Sequence, residues 1–271
     1  MITPAEWWRR RQFRASCFRP AVRLEHWDAY GLRAGFTTRH FPLYLKTSGE
    51  LDLLYNQESF TKHFPVSAGL GGGLDRFVVL DQIHEVRVAV VQDDSAFGPK
   101  KFLHIPKTDG VLTPLENITL LVMTADCLPI FLHAAGENGS WIGLVHAGWR
   151  GTQKQVADKA FHMIADKAQC RPQDIHIAFG PCISQDRYEV GNEFKDFFPS
   201  SALRRADRKL YFDLAGENRR QLLKAGAQRS KIWDPAICTV GQNRDFYSFR
   251  FEQHKAGRMA SFITKLGSVV K

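Results

Sequence analysis

Apolar and polar positions along this chain follow two periods. Short apolar, β-branched runs predict strands at Phe77-Val-Val-Leu80, Val86 to Val91, Ile118 to Met123, Trp141 to Val145 and Ile175 to Phe179. Between and after them the spacing turns helical. Val156, Phe161 and Ile164 recur at helix-compatible intervals within Thr152 to Gln169, and Val190 to Phe198 and Leu214 to Ala225 are also predicted helices. Strands and helices mixed in this order predict an α/β fold, an α+β layered sandwich with a largely buried mixed sheet.

The chain has 271 residues, enough for one large core or two tightly joined halves. A composition 44% hydrophobic and 24% charged excludes a disordered chain. No apolar run approaches the roughly eighteen residues of a membrane span, and the N-terminus lacks the apolar stretch of a signal peptide. A cytoplasmic protein without a membrane partner is expected. The five cysteines are an odd number with no Cys-x-x-Cys, so a disulfide framework is not expected. The cluster Gly69-Leu-Gly-Gly-Gly73 lacks the Lys-Ser/Thr ending of a phosphate-binding loop and reads as a flexible surface loop.

Charge changes the picture more. Lys and Arg total 37 against 28 Asp and Glu, a formal net charge of +9, which favours anionic partners such as phosphates or nucleotides. Part of the excess lies in a basic, Trp-containing segment over residues 1–20, where Arg9, Arg10, Arg11 and Arg14 interleave with Trp7, Trp8 and Phe13. Such a segment more often packs its Trp rings on the body and leaves the Arg heads in water than binds nucleic acid or membrane.

Three possible metal ligands stand in similar local settings. His84 follows the run from Phe77, Cys127 follows the run from Ile118, and His146 ends the run from Trp141. Open sheets gather ligands where strands end and loops begin. Two imidazoles and a thiolate suit zinc and leave one tetrahedral position open for water or substrate. The same residues also admit a plainer reading, one buried cysteine and two hydrogen-bonded histidines. The segment His146-Ala-Gly-Trp-Arg-Gly-Thr152 favours the site: its glycines let backbone approach a ligand, and Trp149 offers a face on which a base can stack.

At this point the chain resembles the YfiH family, also called laccase-domain or polyphenol-oxidase-like. The matching pieces are Thr37-Thr-Arg39, Gln82-Ile-His84, Thr124-Ala-Asp-Cys-Leu-Pro129, His146-Ala-Gly-Trp-Arg-Gly-Thr152, Gly180-Pro-Cys-Ile183, Tyr188-Glu-Val-Gly191, Cys238-Thr239, Tyr247-Ser-Phe-Arg250 and Gly257-Arg-Met-Ala-Ser261. They run in family order from residue 37 to residue 261. The resemblance implies one YfiH-like domain over residues 1–271, with zinc held by His84, Cys127 and His146. It implies phosphorolysis of adenosine, inosine or methylthioadenosine, with adenosine deamination as a second activity. For phosphorolysis, Arg39, Arg150 and Arg250 are candidate phosphate contacts, because guanidinium grips phosphate through two donors.

Two other activities are associated with the family. One is hydrolysis by a cysteine or metal site acting on peptidoglycan precursors, with Cys127 as nucleophile and a histidine as base. The other is copper-dependent polyphenol oxidation, which the ten histidines, none in a His-x-His pair, do not favour over zinc. The sequence departs from the family over His40-Phe-Pro-Leu-Tyr-Leu-Lys46 and Gly49-Glu-Leu-Asp-Leu-Leu-Tyr55, and carries Glu85 where a glycine is usual.

Overall fold

Buried, β-branched runs extend because each side chain finds a partner on both faces of a sheet, and here two sheets share the load. In this computed structural model, which describes residues 20–41, 64–65, 68–69, 74 and 76–267, the first sheet has the spatial order β1 (Ala21–Arg23), β2 (Leu32–Thr37), β15 (Met259–Lys265), β7 (Ile118–Thr124), β3 (Arg76–Leu80), β5 (Phe102–Ile105). The second runs β14 (Ile232–Trp233), β10 (His176–Phe179), β8 (Leu128–Gly136), β9 (Gly139–Ala147), β6 (Gly110–Thr113), β4 (Val88–Val90). A small third sheet joins β11 (Glu189–Val190), β13 (Lys209–Phe212) and β12 (Leu203–Ala206). Both large sheets are mixed. β3 runs parallel to β5 and β7, while β15 is antiparallel to β7 and β2. β4 is parallel to β6, and β8 is antiparallel to β9 and β10.

The core lies in layers. Phe36, Leu120, Val122 and Ile263 of the first sheet meet Val111, Phe131, Ile142 and Leu144 of the second in one apolar cluster. The outer face of the second sheet, with Ile130, Leu132 and Val145, packs on helix α2 (Val156–Ala168) through Ala160, Phe161 and Ile164. Each such side chain contributes about 1.5–3 kcal/mol by leaving water, so the sheets are a stiff frame for whatever their ends carry. Among the described residues, no helix is long and apolar enough to cross a membrane. The α/β, layered, mixed-sheet expectation describes this architecture.

Several predicted elements change. The helix expected over Thr152 to Gln169 is two: α1 (Trp149–Gln153) and α2, separated at Gln155, whose φ of 61° no helix accommodates. The strand expected from Val86 to Val91 shrinks to β4, because the residues before it wrap around a buried carboxylate described below. The helix expected over Val190 to Phe198 becomes the end of β11, a turn, and the short α3 (Phe194–Phe197). The last helix forms as predicted, as α4 (Leu214–Lys224), capped by Asp213, which accepts from the Gly216 N–H at 2.8 Å. The basic segment up to Arg19 with Cys17, the loop beyond Gly69, and the divergent stretch beyond Phe41 lie outside the described residues.

Candidate metal centre

The chain crosses from the first sheet to the second after β3, after β5 and after β7, and it leaves the second sheet after β9. His84 lies in the first crossing, Cys127 in the third, and His146 is the penultimate residue of β9. Because β3 runs parallel to both β5 and β7, all three crossings start from the same edge. The ligand atoms of His84, Cys127 and His146 all lie within 4.8 Å of one another. The two imidazole rings stand edge to face, with centroids 4.7 Å apart.

Three polar side chains hold these crossings. Gln82 takes the place of a strand peptide: its Nε2 donates to the Met123 carbonyl at 2.8 Å, and its Oε1 accepts from the Met123 N–H at 2.7 Å. It thereby ties the His84 loop to the end of β7. Asp109, fully buried, accepts from the backbone N–H groups of Ile83, His84 and Glu85 at 3.3, 2.9 and 2.8 Å. It also accepts from His146 Nδ1 at 2.7 Å. Asp126, at a φ of 93°, accepts from Thr239 Oγ1 at 2.5 Å and from the Arg250 N–H at 2.6 Å. That last bond fixes Cys127 beside the start of α5 (Phe249–Glu252), which Ser248 caps by accepting from the Phe251 N–H.

Backbone also closes on the ligands. A Cβ placed on Gly148 would meet His84 Cδ2 at 2.8 Å and Cys127 Sγ at 3.0 Å. The first glycine of the His146 to Thr152 segment is therefore required by its neighbours rather than by its φ of −77°.

The electrostatics couple the trio. Burial pushes the Cys127 thiol up, but His146 and then His84 outweigh it and bring it down to about 6. Burial pushes His146 down, and the Cys127 sulfur with the Asp109 carboxylate raise it to about 9. Burial likewise opposes the Asp109 carboxylate, yet its bonds to His146 and to the Glu85 and His84 N–H groups hold it below the usual range. The sulfur is thus a thiolate near neutrality, the state a metal ligand must have.

These residues fit a metal. A tetrahedral zinc with Zn–N of about 2.0 Å and Zn–S of about 2.3 Å spaces its donors by roughly 3.3–3.6 Å, inside the observed 4.8 Å envelope. His146 uses Nδ1 on Asp109, which leaves Nε2 as its donor. His146 is buried whereas His84 and Cys127 are half-buried, so the site is closed on one side only.

The arginines fall into two groups. The charges of Arg150 and Arg250 both act on Tyr188, whose phenol also feels the Cys127 sulfur; burial first, then that sulfur, raises the Tyr188 pKa against the two guanidinium groups. Arg250 donates to the Glu189 carbonyl at 2.8 Å and covers the Tyr188 ring at 5.1 Å. Arg150 covers the Trp149 ring at 4.3 Å and is exposed. Arg39 pairs with Glu252 and lies over Tyr247, while its buried Nε has no hydrogen-bond partner. Trp149 is less free than its sequence position suggests: Phe197 stacks on it at 5.9 Å and Phe194 lies at 5.1 Å. Glu85, at the position where the family usually has glycine, pairs with Lys154 at 2.5 Å.

Sequence reasoning missed Asp109. It precedes a four-residue strand in Thr108-Asp-Gly110, which reads as a turn. Asp126 likewise carries no local signal for its partners, because its carboxylate reaches Thr239 and the Arg250 N–H far along the chain.

Comparison with known proteins places this geometry. The family model described as multi-copper polyphenol oxidoreductase laccase matches residues 58–265. The purine nucleoside phosphorylase YlmD of Bacillus subtilis (strain 168) is 31% identical over 250 residues, 85% of this chain and 87% of that protein. An adenosine deaminase, RL5, from an unknown prokaryotic organism is 30% identical over 201 residues, 70% of this chain and 75% of that one. Among solved structures, the Bacillus licheniformis hypothetical protein YfiH superposes with a TM-score of 0.77 at 27% identity, covering 94% of this chain and 98% of that one. YlmD from Geobacillus stearothermophilus superposes with a TM-score of 0.74 at 28% identity, covering 88% and 93%.

Proposed function

We propose that this chain, which belongs to the family described as multi-copper polyphenol oxidoreductase laccase, is a zinc-dependent purine nucleoside phosphorylase with adenosine deamination as a second activity. The observation that carries the reading is the convergence of His84, Cys127 and His146, with Arg250 over the Tyr188 ring and Arg150 close enough for its charge to act on the same phenol. The similarity to relatives named purine nucleoside phosphorylase and adenosine deaminase supports it.

Phosphorolysis needs phosphate beside the anomeric carbon and a stabilised departing purine. Bound zinc supplies a Lewis acid that polarises an oxygen at its open position. The chain's own residues do the rest. Arg150 and Arg250 neutralise the phosphate, and the packing of each on an aromatic ring reduces the side-chain entropy lost on binding. Arg39 contributes its unpartnered Nε–H or, through Glu252, holds α5 in place. Burial and the nearby Cys127 sulfur raise the Tyr188 pKa, which keeps the phenol in its protonated form, able to donate a hydrogen bond to substrate. Asp126 keeps Cys127 and the start of α5 at a fixed separation. Zinc suits the donor set better than several coppers do, because the described residues contain one such group of three.

A second reading has its own observation. The connected Asp109, His146 and Cys127 are the arrangement of a cysteine hydrolase, a nucleophile paired with an oriented base. Metal decides between the two, because a ligated thiolate is not free to attack. The test is metal analysis of the purified chain, then incubation with inosine and phosphate before and after chelation. Loss of base release on chelation and its return with zinc support the phosphorylase. Full turnover of a metal-free preparation supports the hydrolase.

A further inference from the structure

We infer that Asp109 is a positioning residue that assembles both metal-binding histidines through one buried carboxylate. The inference rests on the metal reading of His84, Cys127 and His146. Three consecutive N–H groups, of Ile83, His84 and Glu85, converge on this side chain. Successive N–H groups point one way only when the backbone curls into a concave nest, and nests bind anions. His84 pays for that curl with a φ of 62°, a left-handed value that side chains other than glycine rarely adopt. The carboxylate in the nest is what holds it there.

The other side of the same carboxylate fixes His146. Oδ1 takes both the His84 N–H and His146 Nδ1, while Oδ2 takes the N–H groups of Glu85 and Ile83. All of the roughly four lone-pair sites of the carboxylate are therefore used. A carboxylate only accepts, so the proton of the metal-bound imidazole sits on Nδ1 and Nε2 points to the metal. The Asp109 carbonyl also accepts the His146 N–H, at 2.7 Å. Cys127 meets this network only through its contacts with the two histidines, and its own backbone is placed by Asp126.

Asp109→Asn preserves volume but presents about two acceptor sites and two donors to four donors. At least two groups then face a donor, and either the His84 loop or the His146 ring must turn away. Loss of such a partner weakens metal binding by about 10–100-fold.

The test titrates zinc into metal-free full-length protein against a chromophoric chelator, for wild type, Asp109→Asn and Val111→Ala. Val111 is a buried neighbour on β6 that touches no ligand network, so its substitution gauges general loosening. The expected result is one zinc per chain for wild type, unchanged affinity for Val111→Ala and a 10–100-fold loss for Asp109→Asn. Equal affinity in wild type and Asp109→Asn overturns the inference and leaves the metal reading intact. A wild type that binds no zinc removes the metal reading itself. Long-range proton–nitrogen NMR of zinc-loaded wild type keeps the inference falsifiable even if Asp109→Asn does not fold. It should show His146 protonated on Nδ1, and protonation on Nε2 overturns the inference.

Discussion

Gly148→Ala isolates steric pressure on the proposed metal ligands. At φ −77° and ψ 173° the backbone is ordinary for alanine, so the substitution carries no conformational penalty. The added methyl lies 2.8 Å from His84 Cδ2 and 3.0 Å from Cys127 Sγ. Carbon atoms rest at about 3.5–4.0 Å, so the ring must retreat by roughly 0.7–1.2 Å. Metal–ligand distances tolerate about 0.2 Å. The His84 loop is pinned by Asp109 and Gln82, so little of the shift can be absorbed by moving backbone. Overpacking of this kind costs about 1–3 kcal/mol. If that strain appears when the ligands close on the metal, zinc affinity falls roughly 5- to 150-fold, at about 1.4 kcal/mol per factor of ten. Competition titration measures the affinity, and the visible spectrum of the cobalt-substituted protein reports the ligand geometry. Wild-type zinc affinity with a wild-type cobalt spectrum would refute the reasoning.

Three further outcomes follow from the same geometry. Cys127→Ala should abolish base release from inosine while leaving the far-UV circular dichroism spectrum native, because the residue sits at a sheet crossing rather than in the core; undiminished turnover would contradict this. Zinc binding at about pH 7.5 should release close to one proton from the coupled Cys127–His146 pair, whose mutual attraction brings the thiol down to about 6 and raises the imidazole to about 9; calorimetry in buffers of different ionisation enthalpy counts it, and no release would contradict the coupling. His133, buried beside His176 and Lys265, has its pKa brought down from 6.5 to about 4 by burial first and those charges second. The unfolded chain then binds the extra proton between those values, so stability present above pH 6.5 is lost as pH falls toward 4, by about 3 kcal/mol. Denaturant titrations across that range should show the loss, and His133→Gln should flatten it; an unchanged slope would count against the assignment.

What the sequence revealed depended on how local the cause was. Ile118 to Met123 is buried at every position of β7 and extends by one residue, so its composition sufficed. β8 went unpredicted although it is nearly as buried. Its second residue is Pro129, which argues against a central strand, and the register places that proline opposite His146, where no strand signal is written. β2 and β15 pair across more than 200 residues, and Gly35 weakens the β-pattern of β2. That glycine is there because a Cβ would meet the Val22 carbonyl at 2.3 Å, a contact no local pattern discloses. The three metal-ligating candidates were legible because each ends an apolar run. Asp109 was not, because its partners are the N–H groups of a distant loop and a histidine on another strand. The flat face expected of Trp149 depended on Phe194 and Phe197 packing elsewhere, and they pack on it.

The central claim, phosphorolysis at a metal held by His84, Cys127 and His146, is tested most directly by product analysis. Zinc-loaded protein is incubated with inosine, with and without added phosphate, and the sugar product is identified by chromatography. The account predicts hypoxanthine and ribose-1-phosphate in equal amounts, formed only when phosphate is present. Free ribose released at the same rate without phosphate would contradict it.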